Sequence, residues 1–339
     1  MNVLWLRPSN RWDGENVSTR RERIAEHLRE RGVEVTLMDT SGLDSLSVVK
    51  ESIFGDYDII VGTVRVGVPI GYLLSKLLRK PFIASVSDPL ESQNYLPPTI
   101  YKFVCFVEWW VLKRADAVFF VESDSYENAQ KRGIDGTMAR NSANYELFAN
   151  PKTEVVEKTR EILTTAGVDT EKNIAIYIGS LTANEHFDEI VNAAKQTPEW
   201  EFVFVGEDWG ANITELTAGV TNTYFLGSYK HELMPGFLSH ASAAFCLVDA
   251  ETSLKLNEYG AAGLPTLGYP GRQRKVFSEE ELIYVDPSPN NISEKLNKID
   301  SDKQYANKYS ENLRVHAKEH RWRDVAEKYY DKIKEQVNR

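Results

Sequence analysis

Cysteine is nearly absent: the 339 residues include only Cys105 and Cys246. Each sits in an apolar stretch, 103–107 or 244–248, where a buried, reduced thiol is expected and neither a disulfide framework nor a cysteine metal site is. No uninterrupted apolar run reaches the roughly 18 residues of a membrane-spanning helix. There is no excess of basic residues either. Forty Lys and Arg stand against 50 Asp and Glu, a net charge of −10, which argues against a general nucleic-acid binder because phosphate neutralisation requires surplus cations. No charged leader or small-residue cleavage site precedes the first apolar run at 3–6, so a cytoplasmic chain is expected. No His, Cys or carboxylate cluster has metal-ligand spacing, which suits metal-independent chemistry. The first apolar run leads into Arg7-Pro8-Ser9-Asn10, not the Gly-x-Gly-x-x-Gly turn of a dinucleotide-binding dehydrogenase.

The apolar and charged fractions, 42% and 27%, are ordinary for a soluble globular protein. The length suits two domains of about 150 residues. Short apolar runs at 3–6, 33–38, 59–61, 82–86 and 117–121, with another near 137, alternate with amphipathic stretches, a parallel-sheet α/β signature. A polar crossing at 150–153 and a charged helix at 154–165 follow. A second series then runs through 174–178, 202–205, 224–226, 243–248, 266–267 and 283–285. This predicts domains at 1–150 and 151–310, each a doubly wound parallel sheet, with a helical segment at 311–339. Such sheets bind ligands beyond the carboxyl ends of their strands, so a cleft between two facing domains is the expected site.

The most informative stretch is 251–266, Glu-Thr-Ser-Leu-Lys-Leu-Asn-Glu-Tyr-Gly-Ala-Ala-Gly-Leu-Pro-Thr. It follows a strand, and Gly263 with Pro265 stops a short helix that begins near Ser253. The free backbone N–H groups of Ser253, Leu254 and Lys255 at such a start favour an anion by roughly 0.3 to 1 kcal/mol. Lys255 adds a full charge there. Glu258, one turn on, can accept hydrogen bonds from both hydroxyls of a ribose. The plainer alternative is a surface ion pair between Lys255 and Glu258, which contributes little.

The order Ser253, Lys255, Glu258, Tyr259, Ala261, Gly263, Pro265 resembles the donor segment of GT-B glycosyltransferases, particularly glycosyltransferase family 4 (group 1) and relatives with a Ser-x-Lys-x-x-Glu-Tyr pattern. Further stretches are similar to family landmarks: 115–117, 141–144, 176–181, 203–206, 225–227, and Trp322, from which the family's last helix crosses back to the first domain. The resemblance implies two facing Rossmann-like domains and transfer of a sugar from a UDP- or GDP-sugar co-substrate to a hydroxyl. It further implies retention of configuration and no tightly bound cofactor. Gly179 and Ser180 would let the backbone approach the donor, Lys255 would hold its diphosphate and Glu258 its ribose. Two departures stand out. Glu251 and Glu258 have six residues between them where the family has seven, which weakens Glu251 as the catalytic or sugar-holding glutamate. The family's Arg and Lys pair near the first strand of the second domain is missing, with Ser180 and Glu185 near those positions. The alternatives are an epimerase or hydrolase of the same fold, and a catalytically silent scaffold paired with an active transferase.

Asp88, in Ser87-Asp88-Pro89 after the run 82–86, places a carboxylate at a strand's carboxyl end. There it can take or orient an acceptor hydroxyl, or simply open a turn. Arg272 in 270–275 offers a forked donor for phosphate or a sugar carboxylate, or is a solvated loop cation. His186 and His240 are lone histidines, either ligand contacts or structural. The segment 101–114 is apolar almost all round, and such a helix is usually buried. The second reading is a patch for the cytoplasmic membrane leaflet, with Trp109 or Trp110 at the interface and Lys113 and Arg114 near lipid phosphates. That would suit a peripheral enzyme with a polyprenyl-linked acceptor.

Overall fold

The structure is a computed structural model that describes residues 1–7, 20–40, 50, 55–63, 67–87 and 97–339. The chain divides into two compact units. One runs up to Arg140 and also takes Trp322–Arg339; the other is Asn141–Arg321. Residues 141–150 thereby group with the second unit.

In the first unit the order is β1 (Asn2–Arg7), α1 (Arg20–Glu30), β2 (Glu34–Asp39), β3 (Ile59–Thr63), α2 (Gly67–Leu78), β4 (Phe82–Val86), α3 (Pro98–Leu112), β5 (Ala117–Phe120), α4 (Ser123–Lys131) and β6 (Thr137–Met138). The six strands form one sheet, ordered β2-β1-β3-β4-β5-β6, and every pairing is parallel. A parallel sheet covered on both faces reads as continuous apolar runs, which is why these strands were visible in the sequence.

The second unit repeats the scheme. It contains α5 (Tyr145–Ala149), α6 (Thr153–Thr165), β7 (Asn173–Ile178), α7 (Phe187–Ala194), β8 (Trp200–Val205), α8 (Ile213–Thr217), β9 (Thr223–Phe225) and α9 (Met234–Ser239). Next come β10 (Ala243–Cys246), α10 (Leu254–Ala262), β11 (Thr266–Gly268), β12 (Ile283–Tyr284), α11 (Pro289–Ser301) and α12 (Lys303–Glu319). Its sheet, ordered β12-β11-β10-β7-β8-β9, is also parallel throughout. The period of two is plain: Ile174, Ile176, Val203 and Val205 enter one core, while Ala175, Tyr177, Phe202 and Phe204 enter the other. Both units are therefore doubly wound α/β sheets, the expected fold class.

The final helix, α13 (Trp322–Val337), packs in the first unit. Its Tyr329 is fully buried. The ring stacks on Phe119 at 3.8 Å and on Trp5 at 5.3 Å, and its hydroxyl lies 2.7 Å from Ser85 Oγ. Trp322 receives the Arg20 guanidinium over its ring at 5.5 Å, and Arg20 also donates to the Arg140 carbonyl at 2.9 Å. One face of the first sheet is thus closed by residues more than 200 positions away in the chain.

The helix expected to be buried all round is buried on one side only. Glu108, Val111 and Leu112 of α3 face inward, whereas Phe103, Phe106 and Trp110 are exposed. Trp109 is partly buried and carries Arg132 over its ring at 4.3 Å. Among the described residues, no helix is long and apolar enough to cross a membrane.

Tyr329→Ala is expected to destabilise the first unit by about 3 to 5 kcal/mol. Tyr329→Phe, which keeps the ring and loses the hydroxyl's contacts with Ser85 and Arg20, should cost about 1 to 3 kcal/mol. Urea denaturation followed by tryptophan fluorescence, with Trp5 as the adjacent reporter, checks both.

Candidate functional site

In the second sheet the chain winds outward from β7 to β8 and β9, then returns to β10 and winds the other way through β11 and β12. Neighbouring β7 and β10 therefore mark the point where the winding reverses, and sheets of this kind bind ligands in a crevice at the carboxyl ends of such a strand pair. Gly179 and Ser180 leave β7 there, and Ser253 with Leu254 opens α10 just beyond β10.

Close backbone approach at this point depends on two glycines. Gly179 has φ +143°, and a Cβ on it would lie 3.2 Å from Lys255 Cδ. Gly206, at the end of β8 with φ +151°, could carry no side chain, because its Cβ would lie 1.8 Å from the Gly179 carbonyl oxygen. α10 is held against β7 by Tyr259, whose fully buried hydroxyl accepts the Ile178 N–H at 2.8 Å. The loop before α10 is braced by Asn141, which donates to the Thr252 carbonyl at 3.0 Å, while Asn257 donates to the Asn141 carbonyl at 3.1 Å.

Lys255 lies largely inside this cradle, its side chain 13% exposed. Its ammonium donates to Glu185 Oε1 at 2.6 Å and to Tyr177 Oη at 2.7 Å. It also sits 4.4 Å from the Tyr177 ring centroid. Burial opposes the lysine's charge, but the adjacent Glu185 carboxylate, with Cys246 and Tyr259, holds its pKa above the ordinary value. Burial and Glu185 push the Tyr177 hydroxyl well above its ordinary range. It therefore stays protonated and donates to the Ser180 carbonyl at 2.7 Å. Glu185 Oε2 is buried and has no hydrogen-bond partner among the described residues. Ser253 occupies the N-cap position without a side-chain capping bond, and the first N–H groups of α10 have no partner within the helix.

The other expected site residues fall differently. Glu258 meets His231 Nε2 at 2.8 Å, on the turn His231–Leu233, so it and Lys255 engage separate elements and form no pair with each other. Glu251 is fully buried, and its carboxyl is not offered to solvent. Arg272 opens the turn Arg272–Lys275. Its backbone N–H donates to Asp249 Oδ1 at 2.7 Å, and buried Gln273 ties the same turn to the end of β10 through the Cys246 and Val248 carbonyls. His186 stacks on Tyr269 with centroids 5.5 Å apart. His240 bonds the Val156 carbonyl at 3.0 Å, and burial lowers its pKa, a structural role. Asp88 lies outside the described residues. Among the described residues, no three His, Cys, Asp or Glu side chains gather as a metal site.

Tyr177 and His231 escaped the sequence reading. Tyr177 reads as one more core position of an apolar strand, and nothing local ties His231 to a residue 27 positions later.

Residues 158–316 match the family model described as Glycosyl transferases group 1. No curated protein matches the chain. Among solved structures, HepE from Anabaena in complex with UDP-glucose is 15% identical, with 99% of this chain and 100% of that chain covered at a TM-score of 0.78. Sucrose-phosphate synthase from Thermosynechococcus elongatus is 15% identical, with 97% of each chain covered and a TM-score of 0.75. A glycosyltransferase from Rickettsia africae is 15% identical, with 99% and 98% covered and a TM-score of 0.75. The chain thus has the two-unit α/β architecture of the GT-B glycosyltransferases, and its second unit carries the match to glycosyl transferases group 1.

Proposed function

We propose that the chain transfers a sugar from a nucleotide diphosphate donor to a hydroxyl acceptor, without a tightly bound cofactor. The observation that carries this reading is the convergence of Gly179, the start of α10 and Lys255 at the winding reversal of the second sheet. Backbone N–H groups, a helix dipole and an ammonium together suit the charge that develops on a leaving diphosphate. The match to glycosyl transferases group 1 supports the reaction class. HepE, crystallised with UDP-glucose, supports a UDP-sugar as the first donor to try.

In this reading Lys255 exchanges part of its contact with Glu185 for the diphosphate. The unpartnered Oε2 of Glu185, buried until that contact loosens, accepts a donor hydroxyl, and Glu258, steadied by His231, faces the ribose. Ser253, Leu254 and Ser180 contribute backbone, and Arg272 borders the same crevice. Asp88 handles the acceptor hydroxyl, by orienting it in a retaining reaction or by taking its proton in an inverting one. Glu251, enclosed as it is, shapes the loop before α10. The acceptor we infer is a lipid-linked or surface-glycan precursor, met at the cytoplasmic face of a membrane.

Lys255→Ala alone leaves the Glu185 carboxylate buried without its cation and is expected to lower stability by about 3 to 5 kcal/mol. Lys255→Met combined with Glu185→Gln removes both charges, so most of that stability should return. Thermal stabilisation by UDP, GDP, ADP and their sugars, strong for one nucleotide in the unaltered protein, should still be lost in the pair. Normal nucleotide binding by the pair would defeat the donor assignment.

Asp88→Asn is expected to lower kcat by about 100-fold or more while leaving nucleotide binding unchanged. Product analysis by mass spectrometry separates transfer to an acceptor from donor epimerisation or hydrolysis. An unchanged kcat would remove Asp88 from the reaction.

A further inference from the structure

The outward faces of α2 and α3 invert the usual pattern of a surface helix, which turns its apolar stripe inward. Leu73, Leu77, Ile100, Phe103, Phe106 and Trp110 are all exposed, from 42% for Trp110 to 66% for Leu73, Leu77 and Phe103. Phe103, Phe106 and Trp110 follow one another at steps of three and four residues and so share one side of α3. Leu73 and Leu77 stand one turn apart on α2. The helices lie side by side, with the Tyr72 ring edge-on to Trp110 at 5.5 Å between centroids. An apolar patch of this kind on a folded surface marks an interaction site.

Its charge decides which. Lys76, Arg79 and Lys80 lie on or just after α2, and Lys102, Lys113 and Arg114 on or just after α3. Within 67–87 and 97–114 the one acidic residue is Glu108, which is buried. In a chain whose net charge is −10, this face is locally cationic. The Arg114 guanidinium lies 4.1 Å from the Trp110 ring centroid, and the Lys76 ammonium 5.1 Å from that of Tyr72. Bulky apolar side chains edged by cations suit the boundary between acyl chains and anionic headgroups. A second copy of the same face would bring the cations of 67–87 and 97–114 against one another, and those described residues hold no exposed acid to meet them.

We propose that the α2–α3 face docks on the surface of a membrane carrying anionic lipid, with Phe103, Phe106 and Trp110 entering the headgroup boundary and the lysines meeting lipid phosphates. This deepens the lipid-linked-acceptor reading, yet it rests on the first unit alone.

Flotation of the full chain with phosphatidylcholine vesicles, with and without about one third phosphatidylglycerol, tests it without donor or acceptor. The protein should float with the anionic vesicles and be released at roughly 0.5 M salt. Phe103→Ser with Phe106→Ser should weaken partitioning by about tenfold or more. Lys102→Gln with Lys113→Gln should weaken it by about fivefold per lysine. Val315→Ser, a change at an exposed apolar residue of the second unit, should leave it unchanged. Unchanged melting curves and nucleotide stabilisation show that the variants are folded, so loss of flotation is separable from failure of the donor reading. Three outcomes would overturn the proposal: no flotation, binding indifferent to anionic lipid or to the Phe pair, or a concentration-dependent dimer abolished by the Phe pair in the absence of flotation.

Discussion

An ammonium taken out of water must find its charge compensated, and the second unit is arranged around meeting that condition for Lys255. The desolvation penalty is several kcal/mol per ion, and only short, well-directed contacts offset it. Glu185 and Tyr177 supply them at 2.6 and 2.7 Å. Those distances are reached because β7 and β10 are adjacent and because Gly179 and Gly206 let the backbone close in. Tyr259 fixes α10 to β7, and Asn141 steadies the loop ahead of it. The dipole at the start of α10 and the lysine therefore reach the crevice together.

Two contrasting features stand apart in the chain. Polar side chains gather at strand ends in the second unit, where Lys255 meets Glu185 and Glu258 meets His231, largely enclosed. The outer face of α2 and α3 in the first unit does the opposite, showing rings and leucines to solvent among lysines and arginines. Neither pattern follows from the average composition, which is acidic and moderately polar. A uniform surface with the same residue counts would show neither a local cationic excess nor a contiguous apolar patch.

Much of the fold could be read from the chain because buried parallel strands appear as apolar runs, and the twelve strands among the described residues lie near where such runs fall. The segment 251–266 could be read for a related reason: cap position, lysine and stop signal all act within one short helix. What escaped depends on distant pairs. Lys255 and Glu185 are 70 positions apart and meet only because the sheet reverses between β7 and β10; His231 and Glu258 meet across a turn and a helix. The helix 101–114 illustrates a different limit. Periodicity cannot separate an apolar face turned to the core from one turned to solvent, so Phe103 and Phe106 looked like core.

The placement of α13 also sets an order of events. The second unit is continuous in sequence from Asn141 to Arg321, so it can complete its core as soon as its own residues have left the ribosome. The first unit cannot. Ser85 waits 244 positions for Tyr329, and Trp5 and Phe119 wait for the same ring. Domains generally fold in the order they are synthesised, yet here the unit made first lacks the ring that covers Trp5 and Phe119 until the second has been made.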